Sequence, residues 1–141
     1  MKRAMKMIRE FADFNGNAPV TSDAVSACEL KLRCQFPRDY VNFLNEMNGG
    51  EGFIGDESYL IVWPVEEIES NYVQYEVEKY CEKLLLIGSS GGGEAYAFDR
   101  RVNPWQVVQV PFVGMDYSLC EVVGDSFSDF IQALFWRGRV S

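Results

Sequence analysis

The stretch 87-IGSSGGGEAYAFD-99 places three consecutive glycines, with Gly88 just upstream, between two apolar runs. A phosphate-binding glycine loop follows a strand and opens a helix, so that backbone N–H groups and the helix N-terminus face the anion. The upstream half fits, since LLLIG (84–88) reads as a strand. The downstream half does not: EAYAFD (94–99) alternates small and aromatic residues at period two, which marks a second strand. No Lys and Ser/Thr follow the last glycine, and Glu94 would repel a phosphate. SSGGG therefore reads as a hairpin turn whose glycines take positive φ at little steric cost. Strands joined by so short a loop run antiparallel, because a parallel pair needs a long crossover.

Working outward, WQVVQVPF (105–112) reads as a third strand and SYLIVW (58–63) as another, closed by Pro64. Upstream, FPRDYVNFLNEMNGG sets Tyr40, Phe43, Leu44 and Met47 at i, i+3, i+4, i+7, one helical stripe facing a core. Pro37 suits the first turn of that helix, and Asn48 and Gly49 suit its end. A helix capped by Thr21 or Ser22 precedes it, with Val25, Cys28 and Leu32 on its apolar side. Residues 2–14 suggest a first helix through Met5, Ile8, Phe11 and Ala12, interrupted by the loop residues NGNAPV. From Pro64 to Cys81 a helix with Val73, Val77, Tyr80 and Cys81 on one side is expected. DSFSDFIQALFWRG closes the chain as a helix, with Asp125 or Ser126 as cap and Gly138 as stop. Helices, then consecutive strands, then a closing helix predict an α+β fold: a mainly antiparallel twisted sheet with N-terminal helices and a C-terminal helix. Without repeats or a linker, residues 1–141 are expected to form one domain.

Composition removes several chemistries. There is no histidine, so Ser–His and Cys–His nucleophilic pairs are impossible within this chain. Cys28, Cys34, Cys81 and Cys120 form no C-x-x-C pair and read as reduced, core-type thiols; a Cys28–Cys34 bridge has no specific support. No Cys cluster has zinc spacing and no calcium loop occurs, so neither a metal nor a cofactor is expected. Lys6 and Arg9 break any apolar signal segment, and a soluble, cytoplasmic protein is expected. Formal net charge is −8. Ten acids and one base, Lys79, lie between residues 46 and 82, a field that repels nucleic acid and attracts basic partners. Glu66, Glu67 and Glu69, or Glu76 and Glu82, could pair as acid and base, but most lie beside other acids on helix faces of solvated type. The aromatics Trp63, Tyr72, Tyr75, Tyr96, Phe98 and Trp105 are core residues by periodicity, or the lining of a pocket or protein-binding patch if exposed.

In this order of elements the chain resembles the SUKH superfamily, specifically its Smi/Knr-type domain. The resemblance spans residues 22–135 and is carried by Glu29, Leu32, Pro37, Asp39, Tyr40, Phe43, Leu44, Asn48, Gly49 and Gly50. It continues through the glycine turn Gly91, Gly92 and Gly93, then Tyr96 and Asp99, to Ser126, Phe127, Phe130 and Ile131. Phe36 stands where the family usually has leucine, and Arg33 where a glycine normally ends the preceding helix. The resemblance implies a binding module without catalysis. Many bacterial members are immunity proteins that neutralise polymorphic toxins, often nucleases, inside the producing cell; fungal relatives regulate cell-wall glucan synthesis and carry long flanks. The short flanks here lead us to expect the bacterial kind.

The leading expectation is thus a non-catalytic protein-binding module that neutralises a basic toxin through an acidic surface. That surface is expected around Glu51, Asp56, Glu57, Glu66, Glu67 and Glu69, with Glu94 at the hairpin. No nucleic-acid or membrane partner is expected. A cell-envelope regulatory scaffold of the same fold is the alternative, and a small-ligand enzyme using paired carboxylates the third reading.

Overall fold

The computed structural model describes residues 13–137. Seven strands form one antiparallel sheet in chain order, β1 (Phe14–Gly16), β2 (Gly50–Ile54), β3 (Ser58–Val62), β4 (Leu84–Ser89), β5 (Glu94–Asp99), β6 (Gln106–Pro111) and β7 (Glu121–Gly124). Helices α1 (Ser22–Leu32) and α2 (Arg38–Glu46) lie between β1 and β2. A 3-10 turn (Val65–Glu67), α3 (Ile68–Gln74) and α4 (Val77–Cys81) connect β3 to β4, and α5 (Phe127–Trp136) follows β7. The α+β, mainly antiparallel architecture with a closing helix is the one the sequence predicts.

Successive side chains of a strand point to opposite faces, and the central strands use this to build two cores. Leu85, Ile87, Tyr96, Phe98 and Val107 face α2 and α5, meeting Tyr40, Phe43, Leu44, Phe127, Phe130 and Leu134. Leu84, Leu86, Ala95, Ala97, Val108 and Val110 face the other way, against Val77, Cys81 and Met115. All six residues of β4 are buried as a result. The β3–β4 connection serves both faces, since Val65 and Ile68 join the first core and Val77 and Cys81 the second.

Among the described residues, β2 and β3 are covered on one face only. Along β2 buried and exposed residues alternate strictly, and β3 alternates buried with half-buried ones. Ile54, Leu60 and Val62 enter the first core, whereas Glu51, Phe53, Tyr59 and Ile61 stay outside both.

The structure corrects three sequence expectations. Phe14, the end of the predicted first helix, is strand, and residues 2–12 of that helix lie outside the described residues. Asn15 and Gly16, expected as loop, are strand too; a three-residue edge strand made of Phe-Asn-Gly carries no periodic signal. The helix expected over 64–81 breaks at Glu76, which adopts left-handed backbone (φ 54°). That break changes the helical phase, so Val77 and Cys81 are buried while Val73 is 69% and Tyr80 49% exposed.

Candidate functional site

The face of the β2–β3 hairpin turned away from the first core carries a groove of about 610 Å³ in which polar and aromatic groups lie together. Register places Glu51 opposite Ile61 and Phe53 opposite Tyr59, so these four side chains share that face. The Tyr59 hydroxyl donates to Glu51 Oε2 at 2.7 Å, and the Phe53 and Tyr59 rings meet edge-on at 5.1 Å. That hydrogen bond is also the largest influence raising the Tyr59 phenol above its ordinary range. At one end the Asp13 carbonyl accepts the Phe53 N–H at 3.1 Å, which sets Asp13 beside the hairpin. At the other, Trp63 and Glu67 line the groove, Glu67 reaching it from the 3-10 turn behind Pro64. Trp63 stacks nearly parallel to Tyr75, and Tyr75 meets Phe112 at 4.7 Å, forming an aromatic wall behind the groove.

The glycine hairpin contributes directly. Ser90 N–H donates to the Glu94 carbonyl at 3.1 Å, closing the β4–β5 turn. Gly91 has φ +86°, and a Cβ there would lie 2.9 Å from the Tyr59 ring. Its missing side chain is what lets the hairpin press against Tyr59. Gly93 has nothing within 4 Å of such a Cβ.

The seven acids singled out from the sequence fall in four places. Glu51 and Glu67 line the groove. Glu66 accepts from Asn48 Nδ2 at 2.6 Å, and Glu69 lies 3.9 Å from Lys31; both border a smaller cavity of about 200 Å³ against α1. Asp56 and Glu57 are exposed in the β2–β3 turn, where Gly55 abuts the Phe135 backbone near the end of α5. Glu94 alternates with Ala95 and so points toward the first-core face. Sequence reasoning missed Asp13, Phe53 and Tyr59. EGFIGDESYLIVW (51–63) carried the signal, a Gly-Asp turn between two alternating runs.

Of the acids considered as an acid–base pair, Glu66 and Glu69 are engaged by Asn48 and Lys31, Glu67 lines the groove, and Glu76 sits at the helix break. Among the described residues no group of three Cys, Asp or Glu side chains could hold a metal ion. The four cysteines are free, and burial pushes the Cys28 and Cys81 thiols up to about 11, far from the range of nucleophilic thiolates. No helix among the described residues is long and apolar enough to cross a membrane.

The motif residues form the frame around this face. Glu29 Oε2 accepts the Phe36 N–H at 2.8 Å and ties the α1–α2 corner, while Arg33 ends α1 in left-handed backbone (φ 54°). Asp39 Oδ2 accepts the Ser128 N–H at 2.9 Å, and Ser126 Oγ accepts from Asp129 N–H, so two separate motifs cap α5 together. Tyr40 is fully buried among Phe36, Phe98 and Phe127, and burial raises its phenol well above the ordinary range. Asn48 Oδ1 accepts the Val65 N–H at 2.8 Å, and Gly49 (φ +81°) passes so close to Val62 that a Cβ would strike its carbonyl. Burial pushes the Asp99 carboxyl up, but hydrogen bonds from Arg101 outweigh it and hold it below its ordinary range. A profile of the SMI1/KNR4 family (SUKH-1) matches residues 19–133.

The chain belongs to the SMI1/KNR4 family. The match covers α1 through most of α5 and includes every motif residue named above. Among curated proteins no relative matches. In this SUKH-1 domain the motif side chains are spent on corners, caps and core, and Asp13, Glu51, Phe53, Tyr59 and Glu67 lie outside the motif.

Proposed function

We propose that this SUKH-1 domain is a non-catalytic, cytoplasmic protein-binding module of the immunity type, which neutralises a basic toxin domain by covering it with the face of the β2–β3 hairpin. The observation that carries the reading is the groove's composition. Three carboxylates, Asp13, Glu51 and Glu67, share the groove with an exposed Phe53, and no basic side chain is among its described lining residues. Aromatic anchors inside a charged rim are what a protein partner uses, and complementary charge speeds its arrival. Glu66, Glu69, Asp56, Glu57 and Glu94 add to the long-range field from other sides of the molecule. The same field disfavours nucleic acid and anionic membranes.

Co-purification from the native host, followed by identification of the bound protein, tests this. A basic toxin domain should be recovered, and Glu51→Lys with Glu67→Lys should weaken its capture at least about tenfold and flatten its salt dependence. Recovery of a cell-wall synthesis component instead, or capture unchanged by the double reversal, overturns the reading.

A further inference from the structure

The groove's chemistry specifies more than a positive partner, and the step that follows rests on the reading of this face as a protein-binding surface. Phe53 is 46% exposed, a large ring left at the surface beside Tyr59. Tyr59 itself is held from two sides, by its hydrogen bond to Glu51 and by the close approach of Gly91. One Glu51 oxygen is engaged by that phenol, which orients the carboxylate and leaves acceptor capacity for a second donor. Asp13 and Glu67 have no side-chain hydrogen bond or ion pair among the described residues, although both line the same groove. Rings at the floor and carboxylates around the margin suit an organic cation that is flat and carries donors in several directions.

We infer that this groove receives an arginine side chain presented by the partner protein, its guanidinium lying against Phe53 and Tyr59 and hydrogen-bonded to Glu51, with Asp13, beside Phe53, as the second carboxylate. Arginine fits better than lysine. Its planar fork stacks on aromatic faces and serves separate carboxylates at once, whereas an ammonium is a compact, strongly hydrated point charge. A bare metal ion fits worse, because among the described residues these acids form no group that could hold one. The open groove leaves room for the peptide backbone on either side of the arginine, so the side chain can arrive carried on a peptide or a protein surface.

The test is a ¹⁵N–¹H NMR titration of the full chain with the peptide acetyl-Gly-Arg-Gly-amide, its citrulline twin, which keeps shape and loses charge, and its lysine twin. The arginine peptide should give saturable shifts confined to residues 13, 51–53, 59–63 and 67. The lysine twin should bind at least about threefold more weakly, and the citrulline twin should give no focal response. Glu51→Gln with Asp13→Asn should weaken the arginine peptide about tenfold, as expected for lost charge-assisted hydrogen bonds. Phe53→Leu, which keeps apolar area but removes the ring, should weaken it by about threefold. No response, an equal response to citrulline, or shifts unaffected by these exposed-site variants overturns the inference. Failure here leaves capture of a protein partner standing if co-purification succeeds. A failed co-purification beside a positive titration retires the immunity reading but keeps the arginine site.

Discussion

The two halves of the sheet follow the same strand alternation and come to opposite ends. In β4–β6 both faces are covered, one by α2 and α5, the other by α4 and the segment around Met115. In β2–β3 no helix among the described residues lies over the second face, so the alternation that makes core in one half makes a groove in the other. What differs is the covering element, not the strand. Stability is therefore concentrated where both faces are filled, and the hairpin can carry acids and exposed rings at little cost to folding.

That contrast can be broken first with a pair of substitutions. Phe98→Ala removes a fully buried ring that packs on Tyr40 and Phe127, and should cost about 3–5 kcal/mol in chemical denaturation. Phe53→Ala should cost less than about 1 kcal/mol in the same assay. Comparable losses would show that the hairpin belongs to the stabilising core after all.

Asn48→Ala sharpens the comparison at the seam between α2 and the chain leaving β3. It strands the Val65 N–H in a buried position and frees Glu66, and should cost about 1–3 kcal/mol by the same denaturation measurement. Because Glu67 follows in the same turn, amide exchange at residues 65–67 should quicken while β5 stays protected. The smallest effect is expected at Arg33. Its left-handed backbone is strained for a residue with a Cβ, so Arg33→Gly should stabilise by up to about 1 kcal/mol, read as a raised denaturation midpoint.

The closed half was largely legible in the sequence, and the open half was not. LLLIG, EAYAFD and WQVVQVPF are continuous or alternating apolar runs, and they became β4, β5 and β6 within a residue or so at each end. The stripe Tyr40, Phe43, Leu44 and Met47 is buried as its spacing requires, and Ser126 caps α5. β2 was easily passed over because Gly-Glu-Gly-Phe-Ile has glycines where a strand former is looked for, leaving the Gly-Asp turn after it as the one mark, and β7 because Glu-Val-Val-Gly is short and half exposed. The break at Glu76 could not be read either, since left-handed backbone at a glutamate has no compositional mark. The candidate site fared similarly. Glu51 and Glu67 were named, but only the strand register and the turn after Pro64 reveal that these two share a groove while Glu66, one residue away, faces α1.

One last consequence follows from α5, which supplies Phe127, Phe130, Ile131, Leu134 and Phe135 to the first core. Every strand finds its neighbour already made as the chain leaves the ribosome, because the sheet is ordered as it is translated. The side of that sheet carrying Tyr96 and Phe98 is nevertheless only partly covered, by α2, until α5 emerges. The nascent chain therefore carries a growing sheet with part of its cover missing until the residues of α5 are made, which is the interval in which a chaperone would hold it.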